Sequence, residues 1–215
     1  MKILLIGASG LIGSKLLEQM LLDSEIKCIV LFVRKPISID HPKIEQHIIN
    51  FESINDYSKY FNGEALVCAL GTTRSKTPNK FEYRKIDLGY TLDAAKLAKE
   101  NGVNQIHLIS SMGAHPKSKV FYSALKGEIE SLILGLKFDI TLIYRPSILI
   151  GDRSESRPFE KLSQKLNWFY DPLLLGGLKK YRSIRADVVA TKIISEIKKN
   201  IKRVIIFDSS KIKQL

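Results

Sequence analysis

The chain has 215 residues, 45% of them hydrophobic and 26% charged, which suits one domain with a substantial core and leaves no room for a second full domain. No run of about 18 uncharged apolar residues occurs, and the first apolar segment stops at a glycine too soon for the core of a secretory signal, so a cytoplasmic location is expected. The formal charge of +12 would allow attraction to nucleic acid or acidic lipid, but the cations are spread along the whole chain.

Lys2, Ile3, Leu4, Leu5 and Ile6 form the near-continuous apolar run of a strand buried on both faces of a parallel sheet. Gly7, Gly10 and Gly13 follow in a G-x-x-G-x-x-G pattern, and beyond them Ile12, Leu16 and Met20 recur at helical spacing. Strand, glycine turn and helix in this order suit a dinucleotide pyrophosphate. The turn lets the backbone approach the phosphates, and the helix start offers free N–H groups and the positive end of its dipole.

Residues 27–33 read as a second buried strand, ending in Arg34 and Lys35. An NAD site would carry an acid near this point to bond the adenosine ribose. Two cations instead favour the 2′-phosphate of NADP over NAD. A third, more polar strand is expected over 44–51, a short amphipathic segment over 56–61, and a fourth strand over 65–70. Gly71, Thr72 and Thr73 follow that strand at the end where open α/β sheets bind ligands. Residues 74–80 read as a loop and 87–101 as a helix that packs without chemistry, stopped by Asn101-Gly102. A fifth strand over 103–110 contains His107, read as a packed side chain, and ends in Ser110 and Ser111.

Tyr122 and Lys126 stand in Y-x-x-x-K spacing, one helical turn apart on one face. Tyrosine titrates near 10, so proton transfer at neutral pH requires a nearby positive charge favouring phenolate, which the lysine supplies. With eight tyrosines in a lysine-rich chain, about one such spacing is expected by chance. Its weight comes from its place, just beyond the serine pair at a strand's C-terminal end. A sixth strand is expected over 140–145, a last helix over 186–200 and a last strand over 204–208. The basic stretch 192–202, interleaved with isoleucines, reads as a helix with one buried and one solvated basic face. It lacks the interleaved aromatics of a nucleic-acid stacking platform, so no nucleic-acid partner is expected. Cys28 and Cys68 read as buried apolar residues, and no His or Cys spacing predicts a metal site.

Together with Leu70-Gly71-Thr72-Thr73-Arg74, the glycine turn, Arg34, the serine pair and Tyr122/Lys126, the stretch Tyr144-Arg145-Pro146-Ser147-Ile148-Leu149-Ile150-Gly151-Asp152-Arg153 resembles the Tat-interacting-protein-like group of atypical short-chain dehydrogenase/reductases. Asp152 to Pro158 is particularly similar to that group. The resemblance implies Gly7, Ser9, Gly10, Leu11, Ile12 and Gly13 at the pyrophosphate, and Arg34 and Lys35 at the 2′-phosphate. It puts Leu70, Gly71 and Thr72 on the ribose side, and Pro146 and Ile148 at the nicotinamide. Tyr122 would be the general acid/base, with Lys126 on the nicotinamide ribose and Ser111, or else Ser110, orienting the substrate. Asn50 would lie near the adenine. The pattern departs from many short-chain enzymes in a somewhat short serine-to-tyrosine spacing and in lacking an asparagine at the fourth catalytic position.

The fold class expected is α/β, a single-domain doubly wound parallel sheet of Rossmann type over 1–215, with 152–185 as a small, largely apolar substrate-covering region. The expected activity is NADP-dependent hydride transfer to or from a small carbonyl or alcohol. The alternative is an NADP(H)-binding sensor or regulator that acts through a protein partner with little or no catalysis.

Overall fold

The computed structural model describes residues 1–151 and 181–214. Most of the expected substrate-covering region, including the aromatic residues Phe159, Trp168, Phe169 and Tyr170 and the similarity stretch beyond Gly151, lies outside the described residues.

Seven parallel strands form the sheet: β1 (Lys2–Ile6), β2 (Cys28–Val33), β3 (Ile44–Ile48), β4 (Ala65–Cys68), β5 (Gln105–Ile109), β6 (Ile140–Arg145) and a last strand, Arg203–Asp208. A separate parallel pair, β7 (Leu149–Ile150) and β8 (Ile184–Arg185), precedes that last strand, which is therefore β9. The sheet order is β3-β2-β1-β4-β5-β6-β9. Strand order reverses between β1 and β4, so the crevice for a ligand opens at the C-terminal ends of these two strands.

The central strands are almost wholly buried, as their unbroken apolar sequences require. On one face α1 (Leu11–Leu22) packs Ile12, Leu16 and Met20 into a core shared with Val189, Ala190 and Ile193 of the helix Ala186–Ile197. The opposite face carries Ala94, Ala95 and Ala98 of α3 (Tyr90–Glu100) and Leu125, Ile129 and Ile133 of α4 (Phe121–Gly135). Truncating any of the large buried side chains to alanine costs about 2–5 kcal/mol.

Three local expectations are corrected. Helical structure begins at α2 (Lys80–Arg84), and a π turn, Lys85–Gly89, joins it to α3. Asn79 caps the start by accepting from the N–H groups of Phe81 and Glu82, so the helical segment does not begin at Asp87. The amphipathic segment before β4 is a run of 3-10 turns, Phe51–Tyr60, with Asn50 accepting from the Glu52 N–H at its head. The basic face near the C-terminus is ion-paired rather than simply solvated. Lys192, itself buried, and Lys199 both meet the buried Glu196, as does Arg203. Lys198 pairs with Asp23 and Glu25, and Lys202 with Asp139.

Of the cysteines, Cys68 is buried and Cys28 is half-buried; both are free. His107 is fully buried, its Nδ1 3.0 Å from the Tyr144 hydroxyl, and burial pulls its pKa down to about 3. It is a neutral packed side chain far below its usual charging range. Among the described residues no helix is long and apolar enough to cross a membrane, and no group of three or more His, Cys, Asp or Glu side chains could hold a metal ion.

Candidate functional site

The glycine turn leaves β1 at the switch point, and its three glycines do different work. Gly7 has φ of +85°, and a Cβ there would lie 2.5 Å from the Ala69 carbonyl group, so it allows β1 and β4 to end side by side. A Cβ on Gly13 would enter the envelope of the Gly7 carbonyl oxygen, so this glycine seats α1 against the strand. Gly10 is less constrained: a Cβ there would be 3.2 Å from the Gly7 oxygen and 3.8 Å from the Ala69 oxygen. Its N–H donates to the Gly7 carbonyl at 3.0 Å, closing the turn. No side chain caps α1 and no acid lies in its first turn. Ser9 is exposed beside this helix start, while the side chain of Ile12 is committed to the core, leaving only its backbone for a ligand. The cradle therefore fits a pyrophosphate.

Strand register places the basic pair near this turn. Ile6 pairs with Phe32 across β1 and β2, and both chains leave the sheet a residue or two later. Arg34 and Lys35 are exposed there, and among the described residues neither forms an ion pair. Two unneutralised cations at this edge can receive a phosphate.

Leu70, Gly71 and Thr72 follow β4 on the other side of the glycine turn. The Thr72 N–H donates to Asp87 Oδ1 at 2.7 Å, its hydroxyl meets that of Thr77 at 2.8 Å, and its carbonyl accepts from the Tyr83 hydroxyl at 3.0 Å. A Cβ on Gly71 would lie 3.6 Å from Asp87 Oδ2 and 4.0 Å from Lys126 Nζ. Gly71 and the lysine are thus brought together, although they come from different crossovers.

Tyr122 and Lys126 share the first turns of α4. The tyrosine is 40% exposed, whereas the lysine is 6% exposed with its ammonium 5.8 Å from the tyrosine ring centre. Lys126 Nζ forms an ion pair with Asp87 Oδ2 at 2.9 Å. Burial alone would lower the pKa of the ammonium, but the Asp87 carboxylate, aided by Tyr122 and Glu130, holds it above the ordinary lysine value. Nothing local in the sequence marks Asp87, because its partner Lys126 stands on another helix. The charge beside Tyr122 is consequently that of an ion pair, not of a lone cation.

The two serines separate clearly. Ser110 is buried, and its hydroxyl donates to Glu130 Oε1 at 2.5 Å. Glu130, also buried, accepts from Arg145 Nε at 2.9 Å and pairs with a second guanidinium nitrogen. Ser110 therefore holds a structural network. Ser111 is only partly buried, with a long 3.4 Å contact to the Met112 carbonyl, and remains available.

The loop carrying Ser111 is pressed onto α4. The His115 N–H donates to the Ser123 carbonyl at 3.0 Å, and the face of Gly127 lies against the His115–Pro116 backbone with no space for a Cβ. The Met112 N–H also donates to the Pro146 carbonyl at 2.9 Å, joining this loop to the end of β6. Pro146 is buried and Ile148 is 50% exposed. All the cofactor and catalytic candidates therefore lie around one edge of the sheet.

A family model described as NAD(P)H-binding matches residues 7–133. The chain belongs to this NAD(P)H-binding family. The protein HTATIP2 of Rattus norvegicus is 35% identical over 167 residues, covering 76% of this chain and 69% of that protein. The mitochondrial protein FMP52 of Candida albicans is 33% identical over 186 residues, covering 83% and 81%. These relatives put the chain in the Tat-interacting-protein-like group of the short-chain dehydrogenase/reductase superfamily. Among solved structures, the UDP-glucose 4-epimerase of Thermotoga maritima superposes with a TM-score of 0.71 at 13% identity, covering 97% of this chain and 77% of that one. The UDP-glucuronic acid 4-epimerase of Bacillus cereus in complex with NAD gives 0.70 at 17%, covering 97% and 77%. At such identities the likeness is one of fold, and the fold is the NAD(P)-binding Rossmann type.

Proposed function

We propose that this family member is an NADP-dependent oxidoreductase acting on a small carbonyl or alcohol, with Tyr122 as general acid/base. The observation that carries the reading is the placement of Tyr122 and Lys126 one turn apart on α4, with the lysine ammonium against Gly71 at the edge that holds the glycine turn. The backbone of Gly7, Ser9, Gly10, Leu11, Ile12 and Gly13 would hold the pyrophosphate, Arg34 and Lys35 the 2′-phosphate, and Leu70, Gly71 and Thr72 the ribose side. NADPH held there would supply hydride to the carbonyl carbon. Tyr122 gives its phenolic proton to the carbonyl oxygen, which Ser111 holds by a hydrogen bond, and Lys126 stabilises the phenolate left behind. Pro146 and Ile148 form the wall on the nicotinamide side. In the direction of alcohol oxidation the same proton returns to Tyr122.

Residues 152–185 are assigned to cover the substrate. The flanks of this segment meet, which supports the assignment: Leu149 of β7 lies against Ile184 of β8, and Ile150 against Arg185.

Changing Tyr122 to Phe tests the activity. Carbonyl reduction should fall by about two to four orders of magnitude with NADPH affinity kept. An unchanged rate would remove Tyr122 from the mechanism.

One observation favours the second reading, a cofactor-binding sensor acting through a protein partner: the Lys126 ammonium is buried and already paired with Asp87. Under that reading the chain binds NADPH and Tyr122→Phe changes nothing measurable. The paired basic stretch near the C-terminus supports the reading without a nucleic-acid partner. We place the protein in the cytoplasm on its sequence; because the FMP52 relative is named mitochondrial, imaging of the tagged full chain decides the compartment.

A further inference from the structure

The helical segment between β4 and β5 is interrupted where it passes Lys126. The π turn Lys85–Gly89 is closed by the Tyr90 N–H donating to the Lys85 carbonyl, one residue further than an α turn allows. Such insertions change the phase of the helix and recur at functional sites. Here the turn directs Asp87 inward, where it is 1% exposed. Burying a carboxylate is unfavourable unless charges and donors surround it. Asp87 has one of each: the Thr72 N–H on Oδ1 at 2.7 Å, and the Lys126 ammonium beside Oδ2 at 2.9 Å. Oδ2 receives no aligned hydrogen bond beyond this ion pair.

The two partners belong to different parts of the site. Thr72 stands in the turn after β4 that Gly71 opens, while Lys126 stands on α4 one turn from Tyr122. We infer that Asp87 is the positioning residue of this site, fixing the Lys126 ammonium and the Gly71–Thr72 turn to one carboxylate so that they keep one geometry. What that geometry serves rests on the oxidoreductase reading above; the ion pair itself does not. The other titratable groups facing Lys126 are Tyr122 and Glu130 on α4 and Cys68 at the end of β4. Cys68 is a buried thiol held neutral by its burial, and Glu130 is engaged by Arg145 and Ser110, so Asp87 is the anion committed to the lysine.

Asp87→Asn is the informative change, because an amide oxygen can still accept from Thr72 while the charge is lost. Protein labelled with 13C-lysine, with the Lys126 Cε signal assigned by its loss in Lys126→Arg, reports the titration without any need for activity. In the unaltered protein Lys126 should titrate above the ordinary lysine range. In Asp87→Asn its titration should fall by about one unit or more, with the Thr72 amide still protected from exchange. The alkaline limb of NADPH-dependent carbonyl reduction should move down with it, because the charged lysine is lost earlier.

An identical lysine titration in the two proteins would overturn the pairing. A shifted titration with an unmoved alkaline limb would overturn the positioning role. Should Asp87→Asn fail to fold, the unaltered protein still decides: titration of Lys126 at or below the ordinary lysine value overturns the proposal. If the unaltered protein reduces no carbonyl, or Tyr122→Phe reduces it equally well, the oxidoreductase reading falls, and the lysine titration judges the Asp87 pair alone.

Discussion

Gly13 meets Gly7 across the turn so closely that the Gly7 carbonyl oxygen occupies the space a side chain on Gly13 would need. Helix α1 can therefore start only as near to β1 as this bare contact allows, and the position of its N–H groups follows from it. Gly13→Ala should destabilise the fold by about 1–3 kcal/mol through overpacking. Thermal unfolding should fall by about 2–4 °C for each kcal/mol lost. Gly10→Ala is the counterpart: with 3.2 Å to the Gly7 oxygen, its melting temperature should fall by less than that of Gly13→Ala, while calorimetry should show NADPH binding weakened by the methyl group in the phosphate cradle.

The exposed pair Arg34 and Lys35 should distinguish the two dinucleotides. Replacing both with Ser should lower NADPH affinity by about ten- to a hundredfold, the range expected for lost hydrogen bonds to a charged group, and leave NADH affinity unchanged. Calorimetric titrations of both proteins with both nucleotides read this directly. Equal losses for NADPH and NADH would place the 2′-phosphate elsewhere.

The serines should separate stability from rate. Ser110→Ala removes the donor at 2.5 Å from buried Glu130 and should cost about 1–3 kcal/mol in denaturant unfolding. Ser111→Ala should leave unfolding unchanged and lower kcat for carbonyl reduction by about tenfold or more. The opposite pattern would exchange their assignments.

Acid should expose the buried histidine. His107 has a pKa of about 3 in the fold, against about 6.5 when unfolded. Below pH 6.5 the unfolded chain takes up a proton that the native chain refuses, so stability falls as pH drops from 6.5 towards 3, by up to about 1.4 kcal/mol per unit from this group. Above pH 6.5 His107 contributes no pH dependence. His107→Gln should flatten unfolding free energy against pH across that window, and an equally steep curve would assign the acid sensitivity to other groups.

The strands and the glycine turn were legible because each signal is local. A strand buried on both faces needs a run such as Ile29 to Val33, and a turn at a phosphate needs glycines at set intervals. Tyr122 and Lys126 were legible for the same reason, being neighbours on one helix. What the sequence hid were pairings between distant segments. Asp87 read as one more residue of a packing helix because its partner lies on another helix, and Ser110 stood as second choice to Ser111 because nothing near it announces Glu130. The basic stretch looked solvated for lack of any sign that Glu196 sits in its midst and that Asp23, Glu25 and Asp139 stand opposite. Gly127 is a further case: nothing in Lys126-Gly127-Glu128 announces that the backbone of His115 and Pro116 will lie against it.

Near the C-terminus, Ser209 is fully buried and accepts from the Ser147 N–H at 2.6 Å, while the Ser147 hydroxyl reaches the Arg182 carbonyl. The turn after β6 that presents Pro146 and Ile148 is thus anchored by residues made late in synthesis. A growing chain on the ribosome can form the glycine turn long before Ser209 emerges, so the crevice stands without its far wall until that buried serine is in place.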